Sequence, residues 1–285
     1  MKQGDLVYRK SYGGDVLFKI QEIRSVHAVL RGVDFRLLAD SPVADLETAS
    51  AESQIPYHIS NHPETDQAMK RLRNNIAGFE PSPPPEPKKK VGVFFELPGK
   101  VLHLDGDPGY LRKCMHLYEE LRVPAEGYYV PEAHMDEALY RLLPQVNPDI
   151  VVITGHDGIL KHRRDDIGSL SSYKNSHNFV NAVKVARQYE KNRDALTIIA
   201  GACQSHFEAL LQAGANFASS PARVLIHALD PLCVAAKVAY TSIKDTVNVA
   251  DVINLTSSGV EGVGGIESKG SHRMGLPKVL YSAPQ

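Results

Sequence analysis

The sequence lacks the features that mark several classes of protein. No apolar run approaches the roughly 20 residues needed to cross a bilayer. The first residues, MKQGDLVYRK, precede no apolar run of the secretory kind. The net charge is −1, so no global basic field draws the chain to nucleic acid or to a membrane surface. We therefore expect neither a membrane partner nor a nucleic-acid partner.

Cysteine is also scarce, with Cys114, Cys203 and Cys233 the three in 285 residues. An odd set at wide spacing is not a disulfide framework, which indicates a reducing compartment in which a thiol stays free. Hydrophobic residues make up 43% of the chain and charged residues 23%, so the chain can bury a sizeable core. The length fits one large domain or two smaller ones.

Residues 1–46 contain short β-rich runs separated by turn residues, which predicts a small all-β, SH3-like barrel. The expected strands lie at 6–8, 16–20, 27–30 and 35–38. Residues 47–90 are polar and end in PSPPPEPKKK, a composition typical of an extended linker. A short helix is expected within this linker at 67–76.

Residues 91–285 alternate between apolar strands and amphipathic helices. This order predicts a three-layer α/β sandwich with a mostly parallel sheet. The expected strands lie at 101–104, 149–154, 196–200 and 224–227, and the expected helices at 108–121, 132–143, 175–189, 204–212 and 230–238. The glycine-rich tail is expected to run over the surface.

Two strand ends carry reactive side chains. His156 stands in TGHDG after the strand at 149–154, and Cys203 stands in GACQS after the strand at 196–200. One crossover helix separates the two strands, so both residues should lie at the same edge of the sheet, where open α/β sheets bind ligands. If Cys203 opens the following helix, free N–H groups and the helix dipole favour its thiolate. We interpret Cys203 as a nucleophile and His156 as its base.

Other interpretations stay open. A cysteine after an apolar strand is often packed in the core, which is how we interpret Cys114 and Cys233. Cys203 and His206 have the C-x-x-H spacing of a zinc site, but no second close ligand pair is obvious. Cys203 could instead stand on a nucleophile elbow, as in amidotransferase-like or hydrolase-like enzymes, with His206 or His227 following it.

The order histidine, then Ala202-Cys203-Gln204, resembles the caspase-like cysteine peptidases. Two departures are Asp157, where glycine is usual, and Ser205, where glycine is expected. The resemblance implies that the backbone N–H groups of Cys203 and Asp157 hold the oxyanion.

A longer resemblance, to the YabG family of sporulation-specific proteases, covers nearly the whole chain. It rests on the segments RKSY, PGKVLHLDGD, ITGHD, GACQSHFE, AGANFASSP, IHALDP and GGIE. It implies a thiol endopeptidase that cuts spore coat and morphogenetic proteins after Arg or Lys, uses His156 and Cys203, and is capable of processing itself. The implied location is the mother-cell cytoplasm of a sporulating bacterium, in association with the forming spore coat. No cofactor or metal is expected.

Cleavage after a basic residue requires a carboxylate in the pocket for the preceding side chain. Asp105, Asp107 and Asp230 are the candidates, although an aspartate before proline commonly caps a helix. An alternative of a different class is a spore-structure binding protein whose N-terminal barrel carries the function.

Overall fold

A computed structural model describes residues 1–49, 63–77 and 95–275. The proline-rich run at 81–90, on which the linker prediction mainly rests, lies outside these residues. The predicted helix at 67–76 is present and longer, with α1 spanning Pro63–Ala77.

The N-terminal part forms one five-stranded antiparallel sheet. Its strands are β1 Leu6–Arg9, β2 Phe18–Arg24, β3 His27–Gly32, β4 Leu38–Pro42 and β5 Leu46–Thr48, in the order β4-β3-β2-β1-β5. Apolar side chains alternate along these strands and bury one face, because successive strand residues point to opposite sides. The predicted strand at 35–38 is wrong, since β4 begins only at Leu38.

The larger part is built on a six-stranded sheet. Its strands are β7 Val101–Asp105, β8 Ala125–Tyr129, β9 Ile150–Thr154, β10 Thr197–Ala200, β11 Phe217–Ser219 and β13 Val263–Gly265. The order is β13-β11-β10-β9-β7-β8, and every pair is parallel except the one that joins β13 to β11. The mostly parallel α/β sheet predicted from the sequence is therefore confirmed.

Helices cover both faces of this sheet. Three pack on one face, namely α3 Met135–Val146, α4 Ser176–Tyr189 and α5 Phe207–Ala213. The opposite face is covered by α1, α2 Pro108–Glu120 and α6 Asp230–Tyr240. The central strands β7, β9 and β10 are buried along their whole length, which explains their continuous apolar runs. No helix among the described residues is long and apolar enough to cross a membrane.

Several elements differ from the expectation. Within the described part of the chain, residues 224–227 form no strand of the sheet, and one isolated bridge joins His227 to Phe35. The edge strand β8 and the three-residue strands β11 and β13 were missed, because short or half-buried strands carry little apolar signal. The tail is partly regular, with α7 Val249–Asn254, α8 Gly259–Gly262 and the short strands β12 Thr246–Val247, β14 Ser268–Lys269 and β15 Arg273–Gly275, the last paired with β6 Phe95–Leu97.

The order of strands locates a crevice. From β7 the chain moves outward to β8, then crosses back to β9 on the other side of β7. Such a reversal opens a gap beyond the carboxyl ends of the two strands that flank it, and ligands bind there in open α/β sheets. Asp105 ends β7 and Gly155-His156 follows β9, so these residues border the crevice.

The packing of the core beneath this edge can be tested with substitutions in α3. Leu139 is fully buried and its neighbour Tyr140 is 77% exposed. We expect Leu139→Ala to lower the free energy of unfolding by about 2–5 kcal/mol, because the cavity is only partly filled by relaxation. Tyr140→Ala should change it by less than about 0.5 kcal/mol. Urea unfolding of both variants measures the difference, and equal midpoints would contradict the burial of Leu139 in the core.

Candidate active site

Cys203 and His156 lie at the same edge of the sheet. Strands β9 and β10 are direct parallel neighbours, with Ala200 opposite Ile153. One residue further, the hydroxyl of Thr154 donates to the carbonyl of Gly201 at 2.9 Å and fixes the two loops to each other. The sequence prediction that these loops meet is therefore matched by their geometry.

Cys203 is fully buried and stands in a turn, four residues before α5 begins. Gln204 has φ +54°, a left-handed conformation that prevents the helix from starting at the cysteine. The expectation that Cys203 opens a helix is wrong, so the helix dipole does not favour its thiolate. Its Sγ instead accepts a hydrogen bond from Ile226 N at 3.0 Å. Burial raises the pKa of Cys203 far above that of an ordinary thiol.

His156 is fully buried and its ring stacks on that of Tyr110, with centroids 5.3 Å apart. Neither ring nitrogen has a hydrogen-bond partner among the residues that the structure describes. Burial lowers the pKa of His156 to about 4, and the positive charges of Arg31 and Arg36 act in the same direction. The imidazole is thus neutral at pH 7 and has free nitrogens for a proton transfer.

The loop that carries His156 is held by a buried glutamate. Glu132 accepts a hydrogen bond from the backbone N–H of His156 at 2.9 Å. Its carboxyl packs against Gly106 and Gly155, where an added Cβ would lie 2.3 and 2.6 Å from a carboxylate oxygen. Both glycines are therefore required for close approach of the two strand-end loops to Glu132.

Asp157, the residue that departs from the caspase-like pattern, ties three segments together. Its Oδ1 accepts from the backbone N–H groups of Gly158 and Asn175, each at 2.8 Å. Its Oδ2 accepts from the hydroxyls of Ser176 and Ser205. Burial raises the pKa of this carboxyl, and the four hydrogen bonds act in the opposite direction. The side chain thus joins the histidine loop to the start of α4 and to the cysteine loop.

Sequence reasoning missed the side chain that fills the pocket at this edge. Arg36, from the N-terminal part, is fully buried and lies 3.0 Å from a carboxylate oxygen of Asp105. Its Nε and Nη2 donate to the carbonyl of Ala228 at 3.1 and 2.7 Å. Its guanidinium also lies 4.9 Å from the ring centroid of Tyr110. The surroundings of Arg36 therefore complement the charge, the planarity and the donors of its guanidinium.

The backbone of Arg36 contacts the predicted catalytic groups. Its carbonyl oxygen accepts from the N–H of Cys203 at 3.2 Å and from the N–H of Asp157 at 3.1 Å. These are the two groups expected to hold an oxyanion. The N–H of Arg36 donates to the carbonyl of Ile226 at 3.1 Å.

The three candidate pocket carboxylates have different surroundings. Asp105 is the one that contacts Arg36. Burial alone would raise its pKa, but the charge of Arg36 and the imidazole of His103, 3.5 Å away, bring the pKa below its ordinary value. Asp107 caps α2, accepting from the N–H groups of Gly109 and Tyr110.

The third candidate, Asp230, lies in the first turn of α6 and is fully buried. It accepts from the N–H groups of Ser257 and Ser258 at 2.8 and 3.1 Å, so its carboxylate is committed to that turn. Burial raises the pKa of Asp230.

The other histidines considered as partners of Cys203 have contacts of their own. His206 caps α5 through Ala209 N, and its Nε2 lies 2.9 Å from the carbonyl of Gly168. His227 Nδ1 accepts from Leu229 N at 3.3 Å. These contacts favour His156 over the nucleophile-elbow arrangement. Within residues 1–49, 63–77 and 95–275, no group of three or more His, Cys, Asp or Glu side chains could hold a metal ion.

Comparison with known proteins identifies the family of the chain. The profile of the family described as YabG peptidase U57 matches residues 2–277. The chain belongs to this family. It is 40% identical to the sporulation-specific protease YabG of Bacillus subtilis (strain 168), over 96% of this chain and 97% of the relative. No solved structure is significantly similar. Membership of the YabG family supports a hydrolase that acts on peptide bonds in protein substrates.

Beyond Arg36, sequence reasoning missed Tyr110 and Glu132 of this site. Arg36 interrupts the apolar run Phe35-Arg36-Leu37-Leu38, and a lone charge in such a run is the signal that could have found it. No comparable signal marks Tyr110 or Glu132, because helix-forming segments commonly contain both residue types.

The packing of Glu132 generates a stability prediction. We expect Gly155→Ala to lower the free energy of unfolding by about 1–3 kcal/mol, because the new methyl group overlaps the Glu132 carboxyl. Gly168→Ala is the matched control, since that glycine is exposed and an added Cβ meets nothing within 4 Å. Denaturant unfolding of the two variants compares them. An unfolding midpoint of Gly155→Ala equal to that of the control would show that the glycine is not required.

Proposed function

We propose that the chain is a cysteine endopeptidase that cuts after arginine, and after lysine less well, with Cys203 as nucleophile and His156 as general base. The observation that carries the proposal is the position of Arg36. Its side chain fills a pocket with Asp105 inside it, while its carbonyl oxygen accepts from Cys203 N and Asp157 N. A peptide bond that follows an arginine is thereby held beside a thiol.

The two N–H groups on the Arg36 carbonyl support an oxyanion hole. Acyl transfer through a thiol passes through a tetrahedral species whose oxygen carries negative charge. Preorganised N–H donors stabilise that charge more than they stabilise the neutral carbonyl. Asp157 holds its own loop through four hydrogen bonds, so its backbone N–H is fixed in direction. Its side chain is therefore a positioning group.

The proposed reaction begins with transfer of the Cys203 proton to His156. The thiolate attacks the carbonyl carbon, and the C–N bond breaks as the imidazolium gives its proton to the leaving amine. Water then hydrolyses the thioester, which releases the carboxylate and restores the thiol. The unpaired nitrogens of His156 are suited to this shuttle.

The pocket supports a preference for arginine over lysine. Asp105 supplies the opposite charge for either side chain. The carbonyl of Ala228 accepts from two guanidinium nitrogens of Arg36, Nε and Nη2, and an ammonium group cannot reproduce that geometry. We further propose that the substrates are spore coat and morphogenetic proteins and that the enzyme acts in the mother cell of a sporulating bacterium.

The dyad can be tested with single substitutions. We expect Cys203→Ala and His156→Ala each to reduce hydrolysis of an arginine-containing fluorogenic peptide at least 1,000-fold, because nucleophile and base act as a unit. Cys233→Ala, which removes a buried thiol of the core in α6, should retain activity. Circular dichroism checks that the variants are folded. Wild-type turnover in folded Cys203→Ala would exclude the cysteine mechanism and favour a binding protein or another nucleophile.

The specificity pocket yields a separate prediction. Asp105→Asn should reduce the ratio of kcat/KM for arginine over an uncharged residue by roughly 100-fold, because a buried charge loses its partner at a cost of about 3 kcal/mol. Asp107→Asn is the control, since asparagine caps a helix as well as aspartate does. Peptides that differ only at the residue before the cut provide the measurement. An unchanged ratio in Asp105→Asn would show that Asp105 is not the carboxylate that selects arginine.

A further inference from the structure

A loop of the N-terminal sheet enters the candidate active site. Residues 33–37 join β3 to β4, and Gly32 N donates to Leu37 O at 2.9 Å where the loop leaves its sheet. Between these points the chain projects into the larger part of the molecule. Arg36 lies at the tip and is the largest fully buried side chain among the described residues.

The loop pairs with the cleft as an extended peptide does. Phe35 forms an antiparallel bridge with His227. Arg36 N donates to Ile226 O at 3.1 Å, and Asp34 O accepts from Ala228 N at 3.0 Å. These contacts alternate along one side of the segment, which is the pattern of a strand added to an edge.

The chain is held on the other side of Arg36 as well. Leu37 forms a parallel bridge with Asp157, and Leu38 N donates to Asp157 O at 2.8 Å. The Arg36–Leu37 peptide bond therefore crosses the site with both flanks fixed, and its carbonyl oxygen accepts from the two N–H groups of the proposed oxyanion hole. A separate substrate would need every one of these positions.

We propose that residues 34–37 are an internal substrate, that Arg36–Leu37 is the bond at which the chain first cuts itself, and that this cut precedes action on other proteins. The inference rests on the proposed cysteine mechanism. It assigns the self-processing bond and makes the N-terminal loop the block that processing removes.

The chemistry is that of an ordinary turnover applied to the chain itself. Cys203 Sγ forms a bond to the carbonyl carbon of Arg36, and the bond from that carbon to Leu37 N breaks. The thiol proton passes through His156 to Leu37 N, which becomes a free amine. Water hydrolyses the thioester to the Arg36 carboxylate and returns the thiol.

The uncut geometry also explains why the bond persists long enough to block the site. Leu37 N donates to Phe35 O at 2.8 Å, so the backbone is bent at the bond to be cut. Cys203 Sγ lies 3.0 Å from Ile226 N, a contact that it gives up in order to attack. Burial keeps the thiol and the imidazole neutral. These three features must all change before the attack.

The test uses the full chain and follows its mass over time. We expect wild type to yield a fragment that begins at Leu37 and Cys203→Ala to stay intact. Arg36→Gln should not be cut at this bond, because the pocket loses its cation. Arg24→Gln is the matched control, since Arg24 is an exposed arginine of the same sheet whose side chain pairs with Glu22. It should be processed at the wild-type rate.

Two further measurements test the proposal even if Arg36→Gln misfolds. Arg36→Lys retains a cation for Asp105 and should be cut at the same bond, at least tenfold more slowly. Because the loop lies in its own cleft, the fraction of wild type cut at a given time should not change over a tenfold range of protein concentration. A rate that rises with concentration would show cleavage between molecules and overturn the internal-substrate assignment.

An arginine-containing reporter peptide separates this inference from the proposed function. Wild type should hydrolyse the peptide only after a lag that matches the cut at Arg36–Leu37. Immediate Cys203-dependent turnover by chains that remain intact at this bond would overturn the inference and leave the peptidase proposal standing. If Cys203→Ala retained both self-cleavage and hydrolysis of the reporter peptide, the cysteine mechanism on which the two proposals depend would be overturned.

Discussion

The ion pair of Arg36 with Asp105 is the interaction on which the arrangement of the molecule depends. Both side chains are fully buried, and bringing two charges out of water costs several kcal/mol each unless geometry and further hydrogen bonds offset it. The offset here comes from the carbonyl of Ala228 and the ring of Tyr110. The pair thus joins the N-terminal sheet, the end of β7 and the extended segment after β11. Without Arg36, a buried carboxylate would remain at the crevice.

The crevice that receives this pair follows from the order of strands. Because the chain reverses between β8 and β9, the loops after β7 and β9 lead to α2 and α4 on opposite faces of the sheet, and a buried side chain can fill the gap between them. Glu132 fills part of it and needs Gly106 and Gly155 for the space. The loop at 33–37, which follows β3, fills the rest of the gap. One topological feature therefore supplies both the support for His156 and the room for Arg36.

Sequence patterns identify the parts of this arrangement that are local. Continuous apolar runs predict the central strands, since a strand covered on both faces has no solvent-exposed side that would carry polar residues. Reactive residues placed after two such runs predict that Cys203 and His156 share an edge. Sequence patterns could not identify the partners of Arg36, because Asp105 lies 69 residues away and Ala228 lies 192 residues away along the chain. The same holds for Asp157, whose bonds to Ser176 and Ser205 depend on how two loops meet. The turn at Gln204, which detaches Cys203 from α5, depends on a single backbone angle.

Burial of the loop also affects the charges of Cys203 and His156. A thiol and an imidazole that exchange a proton become a pair of opposite charges, which water or a developing oxyanion stabilises. Both groups are fully buried, so the pKa of Cys203 is raised and that of His156 is lowered. The positive charges of Arg31 and Arg36 further disfavour an imidazolium. Departure of the loop would remove part of this cost for both groups at once. The segment that we propose as an internal substrate therefore also keeps the Cys203 thiol and the His156 imidazole neutral.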